Sequence, residues 1–226
     1  MKSLKSYIQE KLVIKKSKYN YFPETKKELQ DIIKKRIEQE GPEVDLNDID
    51  VSNITDMSYL FEETDFNGNI SKWDVSNVTN MMFMFKNCKK FNQDISSWDV
   101  SNVTNMRYMF FNCGKFKQDI SNWDVSNVEN MSWMFCNCTN FNQDISNWDV
   151  SNVTTMHEMF YGCKSFNQDI SDWDVSNVTD MSRMFFMCES FDQNISKWDV
   201  SNVKYKLDIF YYCKINRKKK YKPKFI

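Results

Sequence analysis

Apolar residues recur through residues 50–213 in one spacing, I-x-x-W-x-V-x-x-V-x-x-M-x-x-M-F-x-x-C-x-x-F. Ile95, Trp98, Val100, Val103, Met106, Met109, Phe110, Cys113 and Phe116 carry one copy of it. The block restarts every 25 residues, at Asp74, Asp99, Asp124, Asp149, Asp174 and Asp199. A weaker copy starts at Asp50; it is one residue shorter, lacks the Cys, and has Ile49 in the Trp place. That makes seven units, the last incomplete. A fixed period of this length means stacked units, each burying its apolar face on its neighbours.

Within a unit, I-x-x-W-x-V alternates at its end as a short strand does, and Trp and Val favour strands. V-x-x-M-x-x-M-F has the three-then-four spacing of a helical face. D-V-S-N between them supplies short polar side chains that bond local backbone amides. The pattern predicts an α/β fold: a solenoid of about seven coils, with a parallel sheet on one side and short helical or 3₁₀ turns on the other. Strand spacing of about 4.8 Å per coil gives a rod roughly 34 Å long.

The repeat is similar to the BspA-like leucine-rich repeat family, in its variant with repeated W-D-V-S-N-V-T-N-M and M-F-x-x-C. The similarity spans residues 45–213 and follows the L-x-x-L-x-L opening, with Trp in the second Leu place. It departs from common members in lacking their punctuating Pro and Gly. The resemblance implies a leucine-rich-repeat-like solenoid used for protein contacts or adhesion in bacteria and their viruses, with no agreed enzymatic activity. Cell-surface display is implied by the resemblance alone.

Solenoid ends need caps. Thr25-Lys26-Lys27-Glu28 reads as a capping box. Leu29, Ile32, Ile33 and Ile37 then share a helical face that Gly41 and Pro42 terminate. Residues 1–44 are read as a helical N-terminal segment sealing the coil around Val51 and Ile54, with a first short helix over residues 2–13. Residues 45–213 form the solenoid. In the last unit Lys206 replaces the first Met, and residues 214–226 read as an extended basic tail.

Composition sharpens this picture. Aromatics make up 15% of the chain, against four Gly and three Pro, which excludes a collagenous or Pro-rich disordered chain. No apolar run approaches the roughly 18 residues of a membrane helix. The first residues, interrupted by Lys5, Glu10 and Lys11, do not read as a secretory signal, which points to a cytoplasmic or virion-associated protein. Seven Cys without an export signal argue against a disulfide framework. The net charge of −1 is unevenly spread: residues 1–41 carry eleven Lys/Arg and six Asp/Glu, residues 214–226 seven and none, and the body twelve and twenty-five. Such asymmetry bears on partners rather than on fold.

Several columns are candidates for function. Cys88, Cys113, Cys138, Cys163, Cys188 and Cys213 stack at disulfide-range spacing, but parallel ladder side chains do not point at each other, so they read as buried free thiols. Cys136 and Cys138 alone are too few ligands for zinc. The aspartates Asp74, Asp99, Asp124, Asp149, Asp174 and Asp199 should face outward, where neighbouring charges repel by roughly 1 kcal/mol per pair. Two readings stand: each Asp caps its own turn, or the column docks a basic partner or cations. The asparagines Asn77 to Asn202 form a structural ladder.

Variable positions can hold specificity. One reads Phe83, Tyr108, Trp133, Glu158, Arg183, and its aromatic run is a candidate binding row unless the rings simply pack. A second reads Lys86, Phe111, Cys136, Tyr161, Phe186, Tyr211, with packing as its role. Arg217, Lys218, Lys219 and Lys220 could contact phosphates non-specifically. His157 stands without a matching nucleophile or carboxylate motif. No cofactor or metal site is expected. The combined reading is a non-enzymatic protein-interaction or adhesion module, in host-surface contact or virion assembly. Its expected partner contacts are Phe83, Tyr108, Trp133, Asp99, Asp124, Asp149 and Asp174. The alternative is a nucleic-acid-associated protein acting through the basic tail.

Overall fold

The computed structural model describes Leu4, Ile8, Lys11, Val13 and residues 18–225. The short helix expected over residues 2–13 falls mostly outside the described residues. Helix α1, Lys26–Glu40, starts where the capping box places it. The Glu28 amide donates to Thr25 Oγ1 at 3.2 Å, and Glu28 Oε2 accepts from the Glu24 amide at 2.8 Å. Gly41 closes the helix with φ of 91°, a left-handed value that suits a residue without Cβ, and its amide donates to the Ile37 carbonyl at 2.9 Å. Leu29 and Ile33 are buried on the first coil. Arg36 holds Asp48 and Glu40, and Lys26 holds Asp56 and Ser58.

The repeat forms a stack of coils with a continuous apolar interior. The Trp column is buried, and each indole N–H donates to a carbonyl of the preceding coil, as Trp123 does to Ile95 at 3.1 Å. Two Phe columns run through the interior. Phe85, Phe110, Phe135, Phe160 and Phe185 stack at 5.6–5.8 Å, with Phe91, Phe116, Phe141, Phe166 and Phe191 packed beside them. Offset aromatic pairs of this kind contribute roughly 0.5–1.5 kcal/mol beyond the area they bury. Each Asn of the asparagine column donates to the Ser carbonyl one coil back, for example Asn127 to Ser101 at 2.7 Å, so the ladder runs from side chain to backbone.

The backbone ladder differs from the expected one in place and in form. Pairing between coils is reduced to one parallel bridge per coil, along Asp56, Asn80, Asn105, Asn130, Thr155, Asp180 and Tyr205, so no extended sheet forms among the described residues. The I-x-x-W-x-V segment, read as the strand, is a run of turns. The V-x-x-M-x-x-M-F segment, read as helical, carries the coil-to-coil hydrogen bonds. In one coil the amides of Met81, Phe83, Phe85 and Asn87 donate to the carbonyls of Asn105, Arg107, Met109 and Phe111, at 2.8–3.0 Å. Between those donors, Met84, Lys86 and Cys88 close turns onto Met81, Phe83 and Phe85. Left-handed residues every fourth position, Phe83 (φ 61°) and Asn87 (φ 63°), stop these turns from winding into a helix.

Residues 214–225 also differ from expectation. They are not extended: 3₁₀ turns at Lys214–Arg217 and Lys219–Tyr221 fold them against the last full coil. Ile215 is fully buried and its amide donates to the Phe191 carbonyl, while the Ile195 amide donates to the Tyr221 carbonyl. Lys218 and Lys214 both reach Asp192, at 2.8 and 3.5 Å. Buried hydrophobic anchors and this ion pair outweigh the self-repulsion of the seven cations counted in residues 214–226.

Candidate functional site

The variable position after the first Met sits at a left-handed residue in every coil. Tyr59, Phe83, Tyr108, Trp133, Glu158, Arg183 and Asp208 have φ between 51° and 62°. For a non-glycine residue this conformation costs roughly 1–2 kcal/mol. It persists because each residue's amide is committed to the ladder, except at the last coil. The aromatic members offset the cost by stacking. Tyr59 lies on Phe83 at 4.7 Å, Phe83 on Tyr108 at 4.6 Å and Tyr108 on Trp133 at 4.5 Å, with ring planes within 16° of parallel. The run expected from sequence is therefore one uninterrupted stack. Tyr59 extends it; the shorter first repeat conceals that residue, and only aligning its Met57 with the later Met column would have found it.

Cations line this stack. Lys26 stands 5.5 Å from the Tyr59 ring and Lys86 5.1 Å from Phe83, while Arg107 is 5.1 Å from the Tyr108 ring and 5.0 Å from Trp133. Each such contact contributes about 0.5–1 kcal/mol at an exposed site. Tyr59 is exposed and the other three rings are half-buried, so one edge of the stack faces solvent.

At Trp133 the row changes from aromatic to ionic. The indole N–H donates to Glu158 Oε2 at 3.0 Å. Glu158 also meets Arg183 at 3.4 Å and His157 Nε2 at 3.5 Å, while His157 Nδ1 pairs with Asp180 at 3.2 Å. The His157 ring is tilted over Trp133 at 4.4 Å. Both imidazole nitrogens thus face carboxylates rather than a hydroxyl or thiol. The second variable row packs mainly within itself, with Tyr161 on Phe186 at 4.9 Å and Cys136 buried.

Asp99, Asp124, Asp149 and Asp174 lie on a different segment and are exposed. Each Oδ1 accepts the amide of the Ser two residues on, at 3.0–3.1 Å. Bonds from the Ser hydroxyl and then the Ser amide hold Asp99, Asp149 and Asp174 below the ordinary carboxylate range. The turn-capping reading of the column is thus realised in its geometry. A parallel column went unread: Asp94, Asp119, Asp144 and Asp169 cap the D-I-S turns in the same way. The D-x-S spacing common to both columns was its signal.

The cysteines are free and buried. Cys113, Cys138, Cys163 and Cys188 donate to Phe carbonyls one coil back at 2.8–2.9 Å, and burial pushes their thiols well above the ordinary range. Among the described residues, no group of three or more His, Cys, Asp or Glu side chains is arranged to hold a metal ion. Of the four tail residues considered for phosphate contact, Arg217, Lys219 and Lys220 are exposed and Lys218 is held by Asp192.

A family model described as Mycoplasma protein of unknown function, DUF285, matches residues 28–138 and 111–222. No curated protein and no solved structure matched the chain. The two matches together span most of the chain, both solenoid and cap, and the chain belongs to the DUF285 family.

Proposed function

We propose that this DUF285 member is a non-enzymatic protein-interaction module whose contact surface is the stack Tyr59–Phe83–Tyr108–Trp133 with Lys26, Lys86 and Arg107 along it. The observation that carries the reading is the stack itself, four neighbouring aromatic residues with Lys26, Lys86 and Arg107 within 5.0–5.5 Å of the ring centroids. Tyr, Trp and Arg dominate contact energetics in protein interfaces. The surface suits a partner that lays apolar side chains across the rings and carboxylates against the cations. The Asp columns are a second surface, suited to a basic partner. The coil is read as a divergent BspA-like, leucine-rich-type unit, and adhesion, host-surface contact or virion assembly is the role that reading suggests.

The nucleic-acid alternative is weaker, because part of the tail's charge is spent on Asp192 and the tail closes the fold. A pull-down from host lysate and surface fractions tests the proposal, run beside a variant with Phe83, Tyr108 and Trp133 changed to Ser. Circular dichroism establishes that the variant is folded. A specific protein lost only in the variant supports the row. A protein retained by it moves the contact to the Asp columns, and nucleic acid released by moderate salt favours the tail.

A further inference from the structure

The loop that follows the Cys of each repeat carries charges in columns, and most of them are paired from coil to coil. Lys90 meets Asp65 at 2.9 Å, Lys164 meets Glu189 at 3.0 Å, and Lys214 and Lys218 both meet Asp192. The coils in between break this pattern. Lys89, Lys115 and Lys117 are exposed and meet no carboxylate among the described residues. One coil on, where an acid would close each column, stand Gly114, Asn140 and Asn142. Residues 86–117 hold six Lys/Arg and two Asp/Glu, within a body that holds twelve and twenty-five. Unpaired like charges on adjacent coils repel, so the cluster costs the fold stability rather than adding to it.

Lys115 stands between two surface grooves. One, of about 580 Å³, is lined by Asn67, Lys90, Asn92, Lys115, Lys117 and Asn140. The other, of about 450 Å³, places Lys89, Asn112, Asn137 and Thr139 on the opposite side of Lys115. Backbone bonds hold the groove amides in place. Asn67 Oδ1 accepts the Asn92 amide at 2.8 Å, Asn92 Oδ1 accepts the Lys117 amide at 3.0 Å, and Asn140 Nδ2 donates to the Gly114 carbonyl at 2.6 Å. Asn92 Nδ2 and the ammonium groups of Lys89, Lys115 and Lys117 donate to no described residue. The grooves thus present fixed polar side chains and uncommitted donors.

The lining selects the ligand. Neither groove has an aromatic or aliphatic side chain in it. Single-stranded nucleic acid needs rings on which its bases stack, and a protein interface centres on apolar and aromatic residues. A long polyanion would also meet acids, because Glu63 and Asp65 border the cluster beside Lys89, and Asp94, Asp119 and Asp144 are exposed on the same coils. What fits is short, rich in hydroxyls and anionic. Lysine ammonium groups take compact charges such as sulfate or carboxylate, and side-chain amides hydrogen-bond hydroxyls. We propose that Lys89, Lys115 and Lys117, with Asn92 and Asn140, form a binding surface for an acidic oligosaccharide. It lies on a different segment of the coil from the aromatic row and is independent of it.

Titration calorimetry on the full chain at low salt tests this, with a sulfated tetrasaccharide of uronate and hexosamine units and with its desulfated form. Binding of either supports the proposal, and the comparison tells whether sulfate or carboxylate is held. Lys115→Gln combined with Lys117→Gln should weaken binding by about tenfold or more. Lys219→Gln combined with Lys220→Gln, in the tail, should leave it unchanged. Circular dichroism checks that each variant is folded, and Lys89→Gln with Lys115→Gln replaces the first pair if that pair does not fold. Failure of both saccharides to bind overturns the proposal, as does binding that the groove variant retains. A single-stranded oligonucleotide of equal charge that binds as tightly, and is lost in the same variant, overturns it too by making the cluster a nucleic-acid surface.

Discussion

Helix α1 closes the N-terminal end of the solenoid by laying Leu29 and Ile33 on the first coil and tying its ends to Asp48 and Asp56. The C-terminal end is closed on one side only. There Ile215 and Tyr221 bond back to Phe191 and Ile195 and Lys222 lies over the Phe210 ring, while the amides of Phe210 and Tyr212 meet no acceptor among the described residues. The contrast shows that an apolar interior and a backbone ladder are separate things to terminate. An amphipathic helix can seal the first and leave ladder groups unmatched. A short tail of 3₁₀ turns can seal half of the first and leave those two amides unmatched.

The comparison can be broken at several points. The largest effect belongs to the interior, where the Phe135 ring is fully buried between Phe110 and Phe160. Phe135→Ala should cost about 3–5 kcal/mol in urea unfolding. Phe210→Ala should cost less, since that ring stacks on Phe185 from one side; equal losses would mean that the last coil is as enclosed as the middle. The caps come next. Ile33→Ala and Ile215→Ala should each destabilise by about 2–5 kcal/mol, because both side chains are buried. If Ile215→Ala changes nothing, residues 214–225 do not act as a cap.

Asn127→Ala removes one side-chain bond to the Ser101 carbonyl and should cost about 1 kcal/mol, since that acceptor can be reached by water. The smallest effect is the pH response of the turn-capping aspartates. Their hydrogen bonds lower the carboxyl pKa in the folded chain, so their contribution is complete above the unfolded value near 4. It is lost as pH falls through the lower folded value. Urea midpoints should therefore drop as pH falls below about 4, and a midpoint unchanged on acidification would contradict the capping geometry.

Much of this architecture was legible from residue columns alone. Identical Trp, Phe, Cys and Asn at one period leave a stacked core as the economical arrangement, and Thr25 with Glu28 marked the start of α1. The location of the ladder was not legible. A three-and-four apolar spacing suits a helical face equally well as a chain of turns with left-handed residues between them. Bulky residues such as Phe83 and Trp133 give no hint of positive φ. The column Asn87, Asn112, Asn137, Gly162 did carry the signal, because Asn and Gly tolerate that conformation. The tail misled for another reason: its cations dominate the composition, while a single buried Ile and an ion pair decide its conformation.

Site-resolved amide hydrogen exchange tests the coil-to-coil ladder most directly. The account predicts strong protection at Phe135 and Asn137, whose amides donate to Met159 and Tyr161. It predicts rapid exchange at Phe210 and Tyr212, which occupy the same ladder positions with no coil beyond them. Protection at Phe210 and Tyr212 equal to that of the interior pair would contradict it.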